Sequence, residues 1–203
     1  MRRGEWELAE SHLEAALSVS NGQDQSNQQA SIYADRSLTA QRRGQVRQAF
    51  DLAQRALSLA KASDDTRAGA ARAQAHNMLG MLASHQNDTQ AALHHLEQSL
   101  LLSETLHDPA MRAAALNNLA QAYQANGDIE RALVLTEEAL TLCVSQGDRH
   151  REAALHNNMA DLLHTAGQAE VAMSHLKQAV SIYAEIGVEG GTVQPEIWKL
   201  SEW

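Results

Sequence analysis

Three asparagines, Asn77, Asn117 and Asn157, stand forty residues apart in this 203-residue chain. Asn is unfavourable inside a helix by about 0.5 kcal/mol relative to Ala, so three at one register ask for a reason. A primary amide both donates and accepts, and a row of amides can pair with the backbone of an extended peptide. Other side chains recur around each Asn at the same interval. Gln74, Ala114 and Ala154 stand three residues before it; Met81, Gln121 and Asp161 stand four after; Ser84, Gln124 and His164 stand seven after. Steps of three and four put these residues on one stripe of a helix. The row fits two roles: recognition of a ligand backbone, or hydrogen bonds from one repeat to the next. The companions Asn118 and Asn158 read as packing residues.

The other reactive side chains lead to no chemistry. None of the ten histidines falls in a His-Glu-x-x-His pattern, and His94 and His95, being adjacent, point about 100° apart on a helix. They read as exposed or half-buried helix histidines, and no metal is expected. Cys143 sits among Leu140, Leu142 and Val144, the setting of a buried, inert thiol. Each glycine is a turn residue, and none belongs to a phosphate-binding loop. The cluster Arg36, Arg42, Arg43 and Arg47 reads as a solvated helix end. No cofactor and no enzymatic activity are expected.

Composition sets the frame for these residues. Aromatics make up 3% of the chain and only two prolines occur, while Ala, Leu, Gln and Glu abound. That mixture favours helices over sheet, and the alanine content requires helices to pack closely. The net charge is −9, with 10 basic and 11 acidic side chains in residues 1–100 against 6 and 14 in residues 101–203. An acidic surface repels phosphate backbones, so no direct nucleic-acid partner is expected. A single cysteine suits a reducing compartment. No apolar stretch approaches the roughly 18–20 residues of a membrane span. The sequence therefore reads as cytoplasmic, with no membrane contact.

The elements that must hold the asparagine row follow a forty-residue period. Gly4/Ala9/Ala16 recurs as Gly44/Ala49/Ala56, Gly127/Ala132/Ala139 and Gly167/Ala172/Ala179, with Asn87/Ala92/Ser99 as the drifted copy. A fixed period of this size marks a repeat array whose units bury their apolar faces only against neighbours. Leu116, Leu119, Ala120 and Tyr123 form one helical stripe, and Ala132, Leu135, Ala139 and Leu142 form a second. Between them, Gly127-Asp128 supplies a left-handed stop and an N-cap, and Gly147-Asp148 repeats the signal. The spacing predicts helix pairs at about 27–43 and 45–61, 66–86 and 88–106, and 149–165 and 168–186. Pro109 after Asp108 opens another helix. The polar run Ser20–Asn27 reads as a linker.

The array is expected over residues 1–192, as a half repeat at 1–20 and units at 26–62, 65–106, 108–146 and 148–187. Residues 193–203, with Trp198 and Trp203, read as a short capping helix. The half repeat lacks a preceding helix, so the chain reads as part of a longer protein.

These stripes resemble the tetratricopeptide repeat. The match lies in Leu116, Leu119, Ala120, Tyr123, Ala132, Thr136 and Ala139, and again in His156, Met159, Ala160, Leu163, Ala172, Leu176 and Ala179. Arg36 and Ser37 depart from it where Leu and a small residue are usual, and Thr136 replaces an aromatic. The forty-residue form is similar to kinesin light chains, to Leu-Gly-Asn-type adaptors and to the C-terminal arrays of bacterial signal-transduction ATPases and MalT-like regulators.

The resemblance implies an all-α, right-handed α-solenoid and a non-catalytic scaffold binding a protein or peptide segment in a bacterial signalling protein. It places Gln74, Asn77, Met81, Ser84, Asn117, Gln121, Gln124, Asn157, Asp161 and His164 along the concave groove. Two other functions stay open: a small-molecule sensor, and self-association through the N-terminal half repeat or the Trp198/Trp203 end.

Overall fold

Alanine-lined helices joined by turns of a few residues make up the described part of the chain. The computed structural model describes residues 24–60 and 65–187, together with residues 11, 12 and 15, which are helical. Eight complete helices lie among the described residues: α1 (Asp24–Arg42), α2 (Val46–Leu59), α3 (Thr66–His85), α4 (Thr89–Thr105), α5 (Pro109–Ala125), α6 (Ile129–Gln146), α7 (Arg149–Thr165) and α8 (Ala169–Glu185). No strand occurs among those residues, and none of their helices is long and apolar enough to cross a membrane. The capping helix expected at 193–203 and most of the half repeat expected at 1–20 lie outside the described residues.

The turns draw on two devices, a left-handed residue and an aspartate cap; the turns before α2 and α8 lack the second, since Gln45 and Gln168 make no side-chain cap. Gly127, with φ 82°, ends α5 in the left-handed region, which only a residue without Cβ enters freely. Asn87 (φ 60°) and His107 (φ 53°) hold that conformation in the turns before α4 and α5, so the drifted repeat kept the geometry after losing the glycine. Aspartates then start the helices. Asp88, Asp128 and Asp148 accept the backbone N–H of Ala91, Arg131 and Arg151. Asp108 accepts that of Met111 at 2.9 Å. Each such cap contributes about 1 kcal/mol.

The chain divides into two compact units, residues 1–111 and 112–203. In the first, α1 packs on α2 and α3, and α3 on α4. Its core is mostly small: Ala34, Ala40, Ala49, Ala53, Ala56 and Ala75, closed by Met78, Leu79 and Leu82. Small residues at these crossings let helix axes approach, which a larger side chain would prevent.

A close approach recurs at the equivalent position of α3 and α1. Gly80 holds it on α3, inside the helix and not in a turn as expected of each glycine; a Cβ there would lie 2.5 Å from Leu96 Cγ and 3.1 Å from the Ala92 carbonyl oxygen. On α1 the position belongs to Ser37, which is fully buried and donates its hydroxyl to the Ala49 carbonyl at 2.9 Å. The departure at Ser37 thus preserves the close contact and satisfies its polar atom. Ser99 does the same on α4, donating to the Ala73 carbonyl at 2.8 Å.

One expectation needs correction. The polar run Ser20–Asn27 is helical from Asp24 onward. Ala30 and Ala34, one turn apart, are buried, and Asn27 Nδ2 donates to Asp65 Oδ2 at 2.7 Å. Tertiary burial and this anchor extend the helix back into a sequence that reads as linker.

In the second unit, Ala120, Ala132 and Leu162 form one buried cluster. Met159, Leu163 and Ala172 form another, and Ala153, Ile182 and Tyr183 a third. Thr136, where an aromatic is usual, is also buried, and its hydroxyl returns to the Ala132 carbonyl at 2.8 Å. Cys143 is fully buried, and desolvation pushes its thiol pKa up against the opposing pull of Arg151.

Candidate functional site

The predicted row stands on the first helix of each pair, and its members differ in how much of their hydrogen-bonding capacity is already used. In the first unit Gln74 on α3 donates to Asp35 Oδ1 on α1 at 3.0 Å. Ser84 donates to the Gly80 carbonyl of its own helix at 3.1 Å. Asn77 is half-buried, and Met81 packs at the edge of the alanine core.

In the second unit Asn117 on α5 accepts a hydrogen bond from Asn158 Nδ2 on α7 at 2.8 Å. Its own amide donates to Asn118 Oδ1 at 3.3 Å. The row therefore carries repeat-to-repeat bonds, at Gln74 and at Asn117, as one of its two expected roles requires. The remaining members differ in exposure. Gln124 and Asp161 are half-buried, and Gln121 and His164 exposed. Asn157 is half-buried, yet its Oδ1 is shielded from water with no hydrogen-bond partner among the described residues. An orphan acceptor of this kind costs about 1–3 kcal/mol.

Two clefts in the second unit are built from residues outside the asparagine row. One, of about 720 Å³, lies among α6, α7 and α8 and is lined by Leu140, Val144, Arg149, Glu152, His156 and Glu185, among others. Arg149 Nη1 donates to both carboxylate oxygens of Glu152 at 2.9 Å, and its other terminal nitrogen reaches Glu185. The second, of about 400 Å³, is mainly apolar, with Leu119, Tyr123, Val134 and Leu135 in its wall. Arg131 lies over the Tyr123 ring, 5.3 Å from its centroid.

Most histidines are exposed or half-buried, as expected, but four of them meet in pairs that the spacing argument did not single out. His76 Nδ1 and His95 Nδ1 lie 3.0 Å apart, and His156 Nδ1 and His175 Nδ1 lie 2.8 Å apart. Burial, then the neighbouring His95, lowers the His76 pKa to about 4. Burial likewise lowers those of His95, His156 and His175. The signal was present in the sequence, since both pairs are separated by 19 residues and recur after 80. Among the described residues no three His, Cys, Asp or Glu side chains gather as a metal-binding group.

Comparison with known proteins agrees with this architecture. Two tetratricopeptide repeat family models match, over residues 72–110 and 111–185. No curated protein sequence matches the chain. Among solved structures, BtubC (BKLC) from P. vanneervenii is similar with a TM-score of 0.71 and 22% identity, over 94% of this chain and 78% of that one. A Podospora anserina kinesin light chain with nearly identical repeats aligns with a TM-score of 0.62 and 19% identity, over 91% and 87%. A signal-transduction ATPase (STAND) protein with a tetratricopeptide repeat sensor, from Pyrococcus horikoshii, aligns with a TM-score of 0.69 and 16% identity. That alignment covers 90% of this chain and 27% of the STAND protein.

Identities this low speak for the fold alone. The forty-residue beat, the left-handed turn residues, the aspartate caps and the small-residue crossings point the same way as the matched models. The chain is an all-α member of the tetratricopeptide repeat family.

Proposed function

We propose that this chain is a non-catalytic scaffold that binds a protein or peptide segment along the first helices of its repeats. The carrying observation is Asn157, a half-exposed amide with an unmet acceptor at the register of the polar row. Gln121, Asp161 and His164 stand on the same helical stripes of the second unit. An extended ligand offers backbone N–H groups at the spacing such a row can use, and a turn of the Asn157 side chain brings its oxygen to one of them. Gln74, Asn77, Met81 and Ser84 form the corresponding row of the first unit, with Asn117 and Gln124 completing that of the second.

The proposed setting is the sensor or interaction portion of a bacterial signalling protein. For the sensor role, the support is the naming of the repeats of the Pyrococcus relative as a sensor.

Selection of peptides from a display library on the purified chain, followed by calorimetric titration, tests the reading. Gln121→Ala, Asn157→Ala and His164→Ala are expected to weaken the selected peptide by about fivefold or more each, since losing a ligand hydrogen bond removes about 1 kcal/mol or more. Melting should stay nearly unchanged for Gln121→Ala and His164→Ala and rise for Asn157→Ala, which removes the orphan acceptor. Selected peptides that bind all three variants as tightly as the parent would overturn it.

A further inference from the structure

His76 on α3 faces His95 on α4 with ring centroids 5.2 Å apart and planes tilted by 45°. His156 on α7 faces His175 on α8 at 5.1 Å and 39°. Each pair joins the two helices of one hairpin, and the Nδ1 atoms are within hydrogen-bond distance in both. In the intervening repeat the corresponding residues, forty positions away, are Leu116 and Leu135. Apolar side chains therefore serve at this position, so the uncharged imidazole is the form that packs.

Such a contact admits one hydrogen between the two nitrogens. One ring donates its Nδ1–H and the other offers its Nδ1 lone pair. A first added proton goes to the far nitrogen of the donor ring and leaves the bond intact. A second must go to the accepting Nδ1, where two N–H donors then face each other and two cations share a half-buried site.

The surroundings differ between the pairs. Arg72 on α3 and His94 on α4 act on His76, both against further positive charge. Around the second pair Arg149 opposes charge on His156, while Glu152 favours it and Glu137 on α6 favours charge on His175. Glu152 is already engaged by Arg149, so its pull is partly spent. A metal ion would have to displace the shared hydrogen, and no third ligand is gathered there among the described residues.

We propose that the two histidine pairs are acid-sensitive latches, each holding the helices of its hairpin together while one hydrogen is shared and releasing them when both rings are protonated. The sign follows from linkage. The unfolded chain binds protons at the ordinary histidine pKa near 6.5, whereas burial lowers the value in the folded chain. Stability is complete above about pH 6.5 and declines as the pH falls toward about 4. Each extra proton taken up on opening raises the unfolding constant about tenfold per pH unit.

Urea unfolding of the whole chain, followed by circular dichroism at pH 7.5 and pH 5.0 in EDTA, reads this directly. The variants are His76→Leu with His95→Leu, His156→Leu with His175→Leu, and all four together. They copy the Leu116/Leu135 arrangement. The parent midpoint should fall on acidification, each double variant should recover about half of that loss, and the fourfold variant most of it. A fourfold variant that loses as much as the parent would sink the latch. A pH dependence present with zinc and absent in EDTA would make the pair a metal site instead. A second readout needs no variant: in an NMR titration of the parent, the ring signals of His76, His95, His156 and His175 should titrate at lower pH than a free histidine, that of His76 near about 4. Ten signals moving together near 6.5 would refute the proposal.

Discussion

Asn158 on α7 donates its amide to Asn117 Oδ1 on α5 across 2.8 Å, fastening the first helix of one repeat to that of the next. Both residues are half-buried, so the bond is shielded in part from competing water. The contact uses the Asn117 oxygen between repeats, while Asn157, next to Asn158 in sequence, keeps an unmet acceptor.

Asn158→Ala is expected to cost about 0.5–1.5 kcal/mol, the net contribution of a neutral hydrogen bond. Combined with Asn117→Ala in a double-mutant cycle, the pair should couple by a comparable amount, because each single change already removes the bond. Urea unfolding checks this. Strictly additive losses would show that the bond contributes nothing to stability.

Gly80→Ala should destabilise by about 1–3 kcal/mol, the range for an overpacked core. The new methyl would sit 2.5 Å from Leu96 Cγ and 2.8 Å from its Cδ2. The helical propensity of Ala works in the opposite direction by up to about 1 kcal/mol, so a stabilised variant would mean that Leu96 yields freely. Leu96→Val in the same chain should relieve part of the cost, and thermal melting of the two variants against the parent measures it.

Cys143 is the only cysteine and is fully buried, with its thiol pKa raised by desolvation. A disulfide reagent at pH 8 should label the native chain far more slowly than the urea-unfolded chain, since the thiolate is the reacting species. The native rate should rise with added urea as α6 opens. Equal rates in the two states would contradict the burial.

Much of the fold was legible because turns and crossings are local problems. Gly127, Gly147 and Gly167 announced left-handed turns, and Asp128 and Asp148 announced caps, since each requirement falls on one residue type. The four drifted positions were harder to read. Asn87 and His107 adopt the glycine conformation, and Ser37 and Ser99 fill alanine seats by giving their hydroxyls to a facing carbonyl. Propensity disfavours each of them, and a tertiary hydrogen bond or the neighbouring helices override it. The same override placed Asp24–Asn27 in α1.

The amino-acid order by itself determined that helices of this length recur, where they stop, and which face of each is small and apolar. Period, turn chemistry and side-chain volume carry that information without any partner. The tertiary structure alone decided which residues of one helix meet which residues of another. His76 meeting His95, His156 meeting His175 and Asn158 meeting Asn117 depend on how far each helix is rotated about its axis and how closely the alanine crossings let the axes approach. Those two quantities arise only when the helices pack, and they separate a histidine that is solvated from one that shares a proton.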